Sequence, residues 1–324
     1  MLTVKDLREQ IDTISPSYLP LAFEDLQYEP VVATGRDGLV NRRTGQIFAF
    51  DDEVFANFTK FIGVPAKFAE KLPVDLRVNV INHFMEQEAG QQVTLTHFGE
   101  QFQNIFEERT TLLPPRSVME MVGRVFQDSD VVSKIDFRDG LVLNIRTAEF
   151  EKAVKPGDLT QGGIRFNALH GKTPTVSPYM ERLVCSNGMV VASDIDSISL
   201  RGFTVAEVIE NMERMAQIYL RDNIPAYLDN WARLTDIKTP NPEQLIHRLS
   251  KEGEISPKIE TRIIEAAAAL IDNTYYDIVN LITSFQHEEG VNEEQYYKIQ
   301  RLGGAAVRDL GGHRCSGCQH SLDF

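Results

Sequence analysis

A chain of 324 residues, 42% hydrophobic and 25% charged, can bury a full core as one large or two closely packed domains. Its formal charge of -14 excludes indiscriminate attraction to phosphate backbones or anionic lipid, so any nucleic-acid site must be local. No run approaches the roughly 18 apolar residues that span a bilayer, the start lacks a basic-then-apolar leader, and three cysteines make no disulfide framework. The expectation is a soluble cytoplasmic protein.

In chain order, Thr3 with Asp6 predicts a capped helix bearing Leu7, Ile11 and Ile14 on one side and closed by Pro16. Strands are expected at 31–34 and 46–50, separated by Gly35, Gly38 and a turn over 41–45. Asp51 or Asp52 opens a helix with Val54, Phe55, Phe58 and Phe61 along one face, stopped at Gly63-Val64-Pro65. A short helix over 66–72 follows, and Pro73 opens another carrying Leu76, Val80, Ile81 and Phe84. The helical spacing of Phe55, Phe58, Phe61, Phe68 and Phe84 assigns them to packing rather than to stacking on bases. Val93, Leu95 and His97, the turn Phe98-Gly99-Glu100, then Phe102 and Ile105 make a hairpin with a solvated His97. Pro114-Pro115 opens a helix whose Val118, Met121, Val122 and Phe126 cover a sheet.

The centre predicts an antiparallel sheet. Strands at 131–137 and 141–146 flank Arg138-Asp139-Gly140, a tight-turn signal. After a charged link over 149–155, the Gly157-Asp158 turn and the Gly162-Gly163 pair precede strands at 164–167 and 173–176. Strands at 180–184 and 189–192 flank Cys185-Ser186-Asn187-Gly188. A sheet of this kind, backed by a helix from Thr204, is the arrangement used by single-strand annealing proteins. Across it Lys152, Lys155, Arg165, Lys172 and Arg182 outnumber Glu151, Asp158 and Glu181. They line a groove for single-stranded nucleic acid or are ordinary surface charge. Cys185 is a packed thiol, or a nucleophile if His170 lies within reach.

Gly157-Asp158, Gly162-Gly163, the stretch from Asn167 to Gly171, the Pro178 segment and above all Arg182-Leu183-Val184-Cys185-Ser186-Asn187-Gly188-Met189-Val190 resemble the phage/plasmid-like domain-of-unknown-function family. The stretch from Phe50 to Phe84, with its Ile62-Gly63-Val64-Pro65 stop, is similar to that family's N-terminal part. The resemblance implies an origin on a mobile element and the cytoplasm of a bacterial host. It implies no reaction.

Thr204 and Glu207 form a capping box that opens a helix running to a break at Asn223-Ile224-Pro225. Pro225 opens a helix with Trp231 and Leu234, and Asn241-Pro242 one with Leu245, Ile246 and Leu249. Ser256-Pro257 opens a long helix reaching Phe285, and Asn292 with Gln295 starts a last short one ending near Gly303-Gly304. In the tail, His313, Cys315, Cys318 and His320 have the ligand types and close spacing of a structural zinc site. Ligands shared with another segment or a second subunit, and a reduced tail without metal, are the alternatives.

The fold class expected is α+β, with a central antiparallel sheet, flanking helices and a helical C-terminal subdomain. The division expected is an α+β domain over 1–202, a helical subdomain over 203–304 and a Cys/His tail over 305–324. The chain has no Gly-Lys-Ser/Thr phosphate loop, His-Glu-x-x-His or Gly-x-Ser-x-Gly motif, so binding without chemistry is expected. The leading reading is a phage- or plasmid-encoded protein that binds or anneals single-stranded DNA in replication or recombination. The alternative is a non-catalytic interaction factor, antagonising host defence or serving assembly, with a host or phage protein as partner. A homo-oligomer without membrane contact is expected in either case.

Overall fold

A computed structural model describes residues 1–31, 36–108, 110, 112–137, 140–183, 189–192, 198–199, 204–270, 273–292, 295–296, 298–300 and 302–303. The fold is α+β. Helix α1 (Val4–Ile14) begins at the expected capping box, where Thr3 and Asp6 each satisfy the other's backbone N–H. A six-stranded mixed sheet follows, in the order β1-β5-β6-β4-β3-β2. It comprises β1 (Ser17–Ala22), β2 (Leu26–Val31), β3 (Arg36–Asn41), β4 (Ile47–Ala49), β5 (Gln92–Phe98) and β6 (Gln101–Glu107). Between β4 and β5 lie α2 (Asp52–Phe61), α3 (Ala66–Ala69) and α4 (Val74–Gln87).

The expected hairpin at 92–106 is β5–β6, with Gly99 at positive φ in its turn. Of the strand expected at 31–34 only Val31, the end of β2, is described, since 32–34 lie outside the described residues. Strand β1, the rest of β2 and β3 fall outside the expected strands, and Gly38, expected as a separator, lies inside β3 paired with Ala49. Phe55 and Phe58 are buried with Phe48, Phe50 and Phe102, while Phe61 and Phe84 pack against that core. Phe68 departs from the packing expectation, because α3 is a single turn and leaves the ring 51% exposed. His97 Nδ1 donates to Gly99 O at 2.7 Å, and its ring packs edge-on with that of Phe48.

Helix α5 (Pro115–Val125) packs on α1 and leads into the second sheet. That sheet runs β11-β10-β9-β8-β7, with β12 also paired to β10. Its strands are β7 (Val131–Asp136), β8 (Gly140–Lys155), β9 (Asp158–Leu169), β10 (Thr175–Arg182), β11 (Met189–Ala192) and β12 (Ile198–Ser199). The stretch 149–155, expected as a link, is the outer half of β8, which resumes pairing with β9 after a register shift between Arg146 and Glu151. The Gly162-Gly163 pair, expected to precede a strand at 164–167, lies within β9.

The pleat gives this sheet two unlike faces. Leu141, Leu143, Ile145, Ile164, Phe166, Val176 and Met180 point to one core, each fully buried aliphatic contributing about 1.5–3 kcal/mol. Asn144, Arg146, Arg165, Ser177 and Tyr179 point the other way and are also buried. That is why β9 shows little alternation of exposure.

The helical remainder covers the apolar face. Helix α6 (Val205–Ile218) starts at the expected Thr204–Glu207 capping box. It passes through a π turn at Tyr219–Asn223 into α7 (Ile224–Arg233). The π turn absorbs Pro225, which lacks the donor an uninterrupted α-helix needs there. Helix α8 (Pro242–Glu252), α9 (Pro257–Ala267) and α10 (Tyr275–Ser284) follow. The single long helix expected from Pro257 to Phe285 is two helices, because Thr274 caps α10 by accepting from Asp277 N–H while Asp277 accepts from Thr274 N–H. One buried core joins α1, α5, the second sheet and these helices across the division expected at residue 203. Among the described residues no helix is long and apolar enough to cross a membrane.

Candidate functional site

The five cations expected to line a strand-binding groove do not form one strip. Lys152, Thr160 and Arg182 stand opposite one another across β8, β9 and β10, and so share a face. Arg165 lies an odd number of positions along β9 and therefore projects to the opposite side. There it is buried, donating from Nε to Asn144 Oδ1 and from Nη2 to Gln300 Oε1, both at 3.1 Å.

The cations on the shared face meet carboxylates. Lys152 Nζ lies 2.5 Å from Asp229 Oδ1 of α7, and Lys155 Nζ lies 2.5 Å from Asp277 Oδ1 of α10. Arg182 Nε donates to Asp158 Oδ1 at 2.5 Å, and Asp158 Oδ2 accepts the Tyr276 hydroxyl. Lys155 and Arg182 also face the Tyr276 ring at 4.9 and 5.9 Å. These three cations therefore fasten the sheet to the helices. Lys172 is exposed in the β9–β10 connection, separate from them.

His170, weighed as a base for Cys185, sits in the same connection between Tyr18 and Phe106. Its Nε2 is 3.2 Å from the Tyr18 hydroxyl, whose pKa burial pushes up to about 12. Cys185 lies outside the described residues, as do the four expected zinc ligands His313, Cys315, Cys318 and His320. Among the described residues no group of three or more His, Cys, Asp or Glu side chains could hold a metal ion.

A cavity of about 720 Å³ lies instead beside α8. One wall is the segment 237–241, held in extended form because Tyr275 N–H donates to Ile237 O at 2.8 Å and Thr239 N–H to Asn273 O at 2.9 Å. This wall exists because the helix breaks before Thr274. The other wall is α8, whose Leu245, Ile246 and Leu249 turn into the core. Its helical period brings Gln244, Arg248 and Lys251 to the cavity side.

Lys238, His247, Arg248 and Lys251 all line the cavity, and among the described residues the rest of its lining is uncharged. Arg248 Nη2 lies 3.4 Å from the Tyr275 hydroxyl, and His247 Nδ1 lies 2.7 Å from Glu260 Oε1 outside the lining. In a chain of charge -14, such a lining makes a local positive potential over an apolar floor. Sequence reading assigned α8 correctly and overlooked this cluster. The signal available was the pair Arg248 and Lys251, three apart on the polar side of an amphipathic helix.

No protein-family model, curated protein or solved structure matches this chain. The family resemblance therefore stands on the residues quoted for it alone.

Proposed function

We propose that this chain is a phage- or plasmid-borne protein that binds single-stranded nucleic acid without chemistry of its own, in replication or recombination. The observation that supports the reading is the gathering of Arg248 and Lys251, both exposed on one side of α8, at the edge of one cavity. Phosphate groups are the common anions that such a lining attracts, and the contact is sequence-independent. The sheet cations named from the sequence carry less of this reading, since their carboxylate partners already neutralise Lys152, Lys155 and Arg182.

The test is fluorescence anisotropy of a labelled oligothymidylate with the full chain. Binding should weaken steeply between about 50 mM and about 200 mM salt, as released counterions require. No binding at the lower salt would defeat the proposal. The same proposal includes a homo-oligomer and structural zinc held by His313, Cys315, Cys318 and His320.

A second reading, a protein-interaction factor, is favoured by one observation. Phe68, Val74 and Leu76 are exposed at 51%, 46% and 48% where α3 leads into α4. Large exposed apolar side chains so close together suit contact with another protein.

A further inference from the structure

We infer that the α8 cavity takes a single nucleotide unit, base and phosphate together, and not a run of strand. The inference rests on the nucleic-acid reading above and names what enters that site. A nucleotide has an anionic group, an apolar ring face and an edge of alternating hydrogen-bond donors and acceptors. The cavity offers a counterpart to each.

Arg248 and Lys251 supply the positive charge, and both are exposed. Leu245 and Tyr275, 8% and 4% exposed, supply a rigid apolar floor. Gln244 and Asn241 supply carboxamides, groups that both donate and accept. Asn241 Oδ1 already accepts from Gln244 N–H at 3.1 Å as the cap of α8, which fixes the direction of its Nδ2 donor. Side-chain amides of this kind read base edges by paired hydrogen bonds.

Size decides between one unit and many. The 720 Å³ of the cavity falls within the roughly 300–1,000 Å³ typical of small-molecule sites. A strand bound along its length requires a groove that follows its backbone. A strand can use this cavity only by presenting one nucleotide, from an end or by turning a base out of its stack.

The test is displacement of labelled oligothymidylate from the full chain by thymidine monophosphate, thymidine or inorganic phosphate. The monophosphate should displace at a concentration about tenfold lower than either part alone, a difference of about 1.4 kcal/mol. Arg248→Gln and Lys251→Gln should weaken the monophosphate and the oligonucleotide together. Gln244→Ala should weaken the monophosphate and leave inorganic phosphate unchanged. These positions are exposed, so the variants should fold as the parent does.

If the oligonucleotide binds and the monophosphate does no better than inorganic phosphate, the single-unit inference is overturned and the strand-binding proposal survives. If the oligonucleotide does not bind but direct calorimetric titration shows that the monophosphate does, the inference holds and strand binding fails. Binding of neither overturns both.

Discussion

Arg182 donates from Nε to Asp158 Oδ1 at 2.5 Å, and the other oxygen of that carboxylate accepts the Tyr276 hydroxyl. The bond ties β9 and β10 to α10, and the Asp158 side chain is 7% exposed. Burial first, and the bond to Asp158 second, push the Tyr276 hydroxyl well above its ordinary pKa. Removing the carboxylate takes from Arg182 and Tyr276 the buried acceptor that they share. Asp158→Ala should therefore cost about 3 kcal/mol of stability, the usual penalty for breaking a buried pair. Urea unfolding followed by circular dichroism measures it, and an unmoved midpoint would remove this bond from the account of the fold.

Gly162 is a spacer between the sheet and α7, and Gly163 one between strands of the sheet. A Cβ on Gly163 would stand 2.1 Å from Ile145 O and 2.7 Å from the Tyr179 ring. On Gly162 it would stand 2.2 Å from Ile224 Cγ2. Gly163→Ala should destabilise by about 3 kcal/mol, since the obstacle is backbone of the neighbouring strand. Gly162→Ala should cost less when Ile224→Ala is present, because that change removes the opposing methyl. A double-mutant cycle without coupling would contradict the packing described.

Salt dependence separates the two sets of cations. Each phosphate contact on a single strand contributes about -0.7 to the slope of log affinity against log salt. Lys251→Gln should flatten that slope by about this amount. Lys152→Gln should leave it unchanged, because Lys152 is engaged with Asp229 at 2.5 Å. The reverse pattern would move the nucleic-acid site back to the sheet.

Asp277 links stability to pH. Burial pushes its carboxyl up, but hydrogen bonds from Lys155 and Thr274 outweigh burial and hold the pKa below its ordinary 3.8. A depressed native pKa adds stability above the unfolded value, and that stability is lost as pH falls through the native one. Lys155→Met should raise the Asp277 pKa and weaken this acid dependence, as read by carboxyl NMR titration. Thr274→Ala should raise it too and cost about 1 kcal/mol through the lost helix cap. A titration curve indifferent to both substitutions would refute the assignment.

The Cys/His tail makes a claim that elemental analysis can settle. Untagged protein should carry stoichiometric zinc, and Cys315→Ser with Cys318→Ser should abolish it. Chelation should release the ion. Protein free of zinc as purified would end this part of the proposal.

Helix starts were legible because their signals are local. Thr3, Asp51 and Thr204 announce three of them through side chains that reach a backbone N–H within one turn. Thr274 with Asp277 carried the same signal and was passed over, since the apolar period of α9 runs on toward that of α10. Hairpins joined by short turns were legible for the same reason. Strand β1 was not, because its partner β5 lies far along the chain and Ser17 meets His97 only through tertiary pairing.

The sequence by itself determined the α+β class, most of the helices and the two hairpins, since the forces that specify them act over a few residues. Only the tertiary structure decided which cations are available. Pleat parity sends Arg165 to a buried face, packing carries Asp229 and Asp277 onto Lys152 and Lys155, and the break before Thr274 opens the cavity at Arg248 and Lys251. Charge can be counted along a chain, but whether a charge is neutralised depends on which distant segment folds against it.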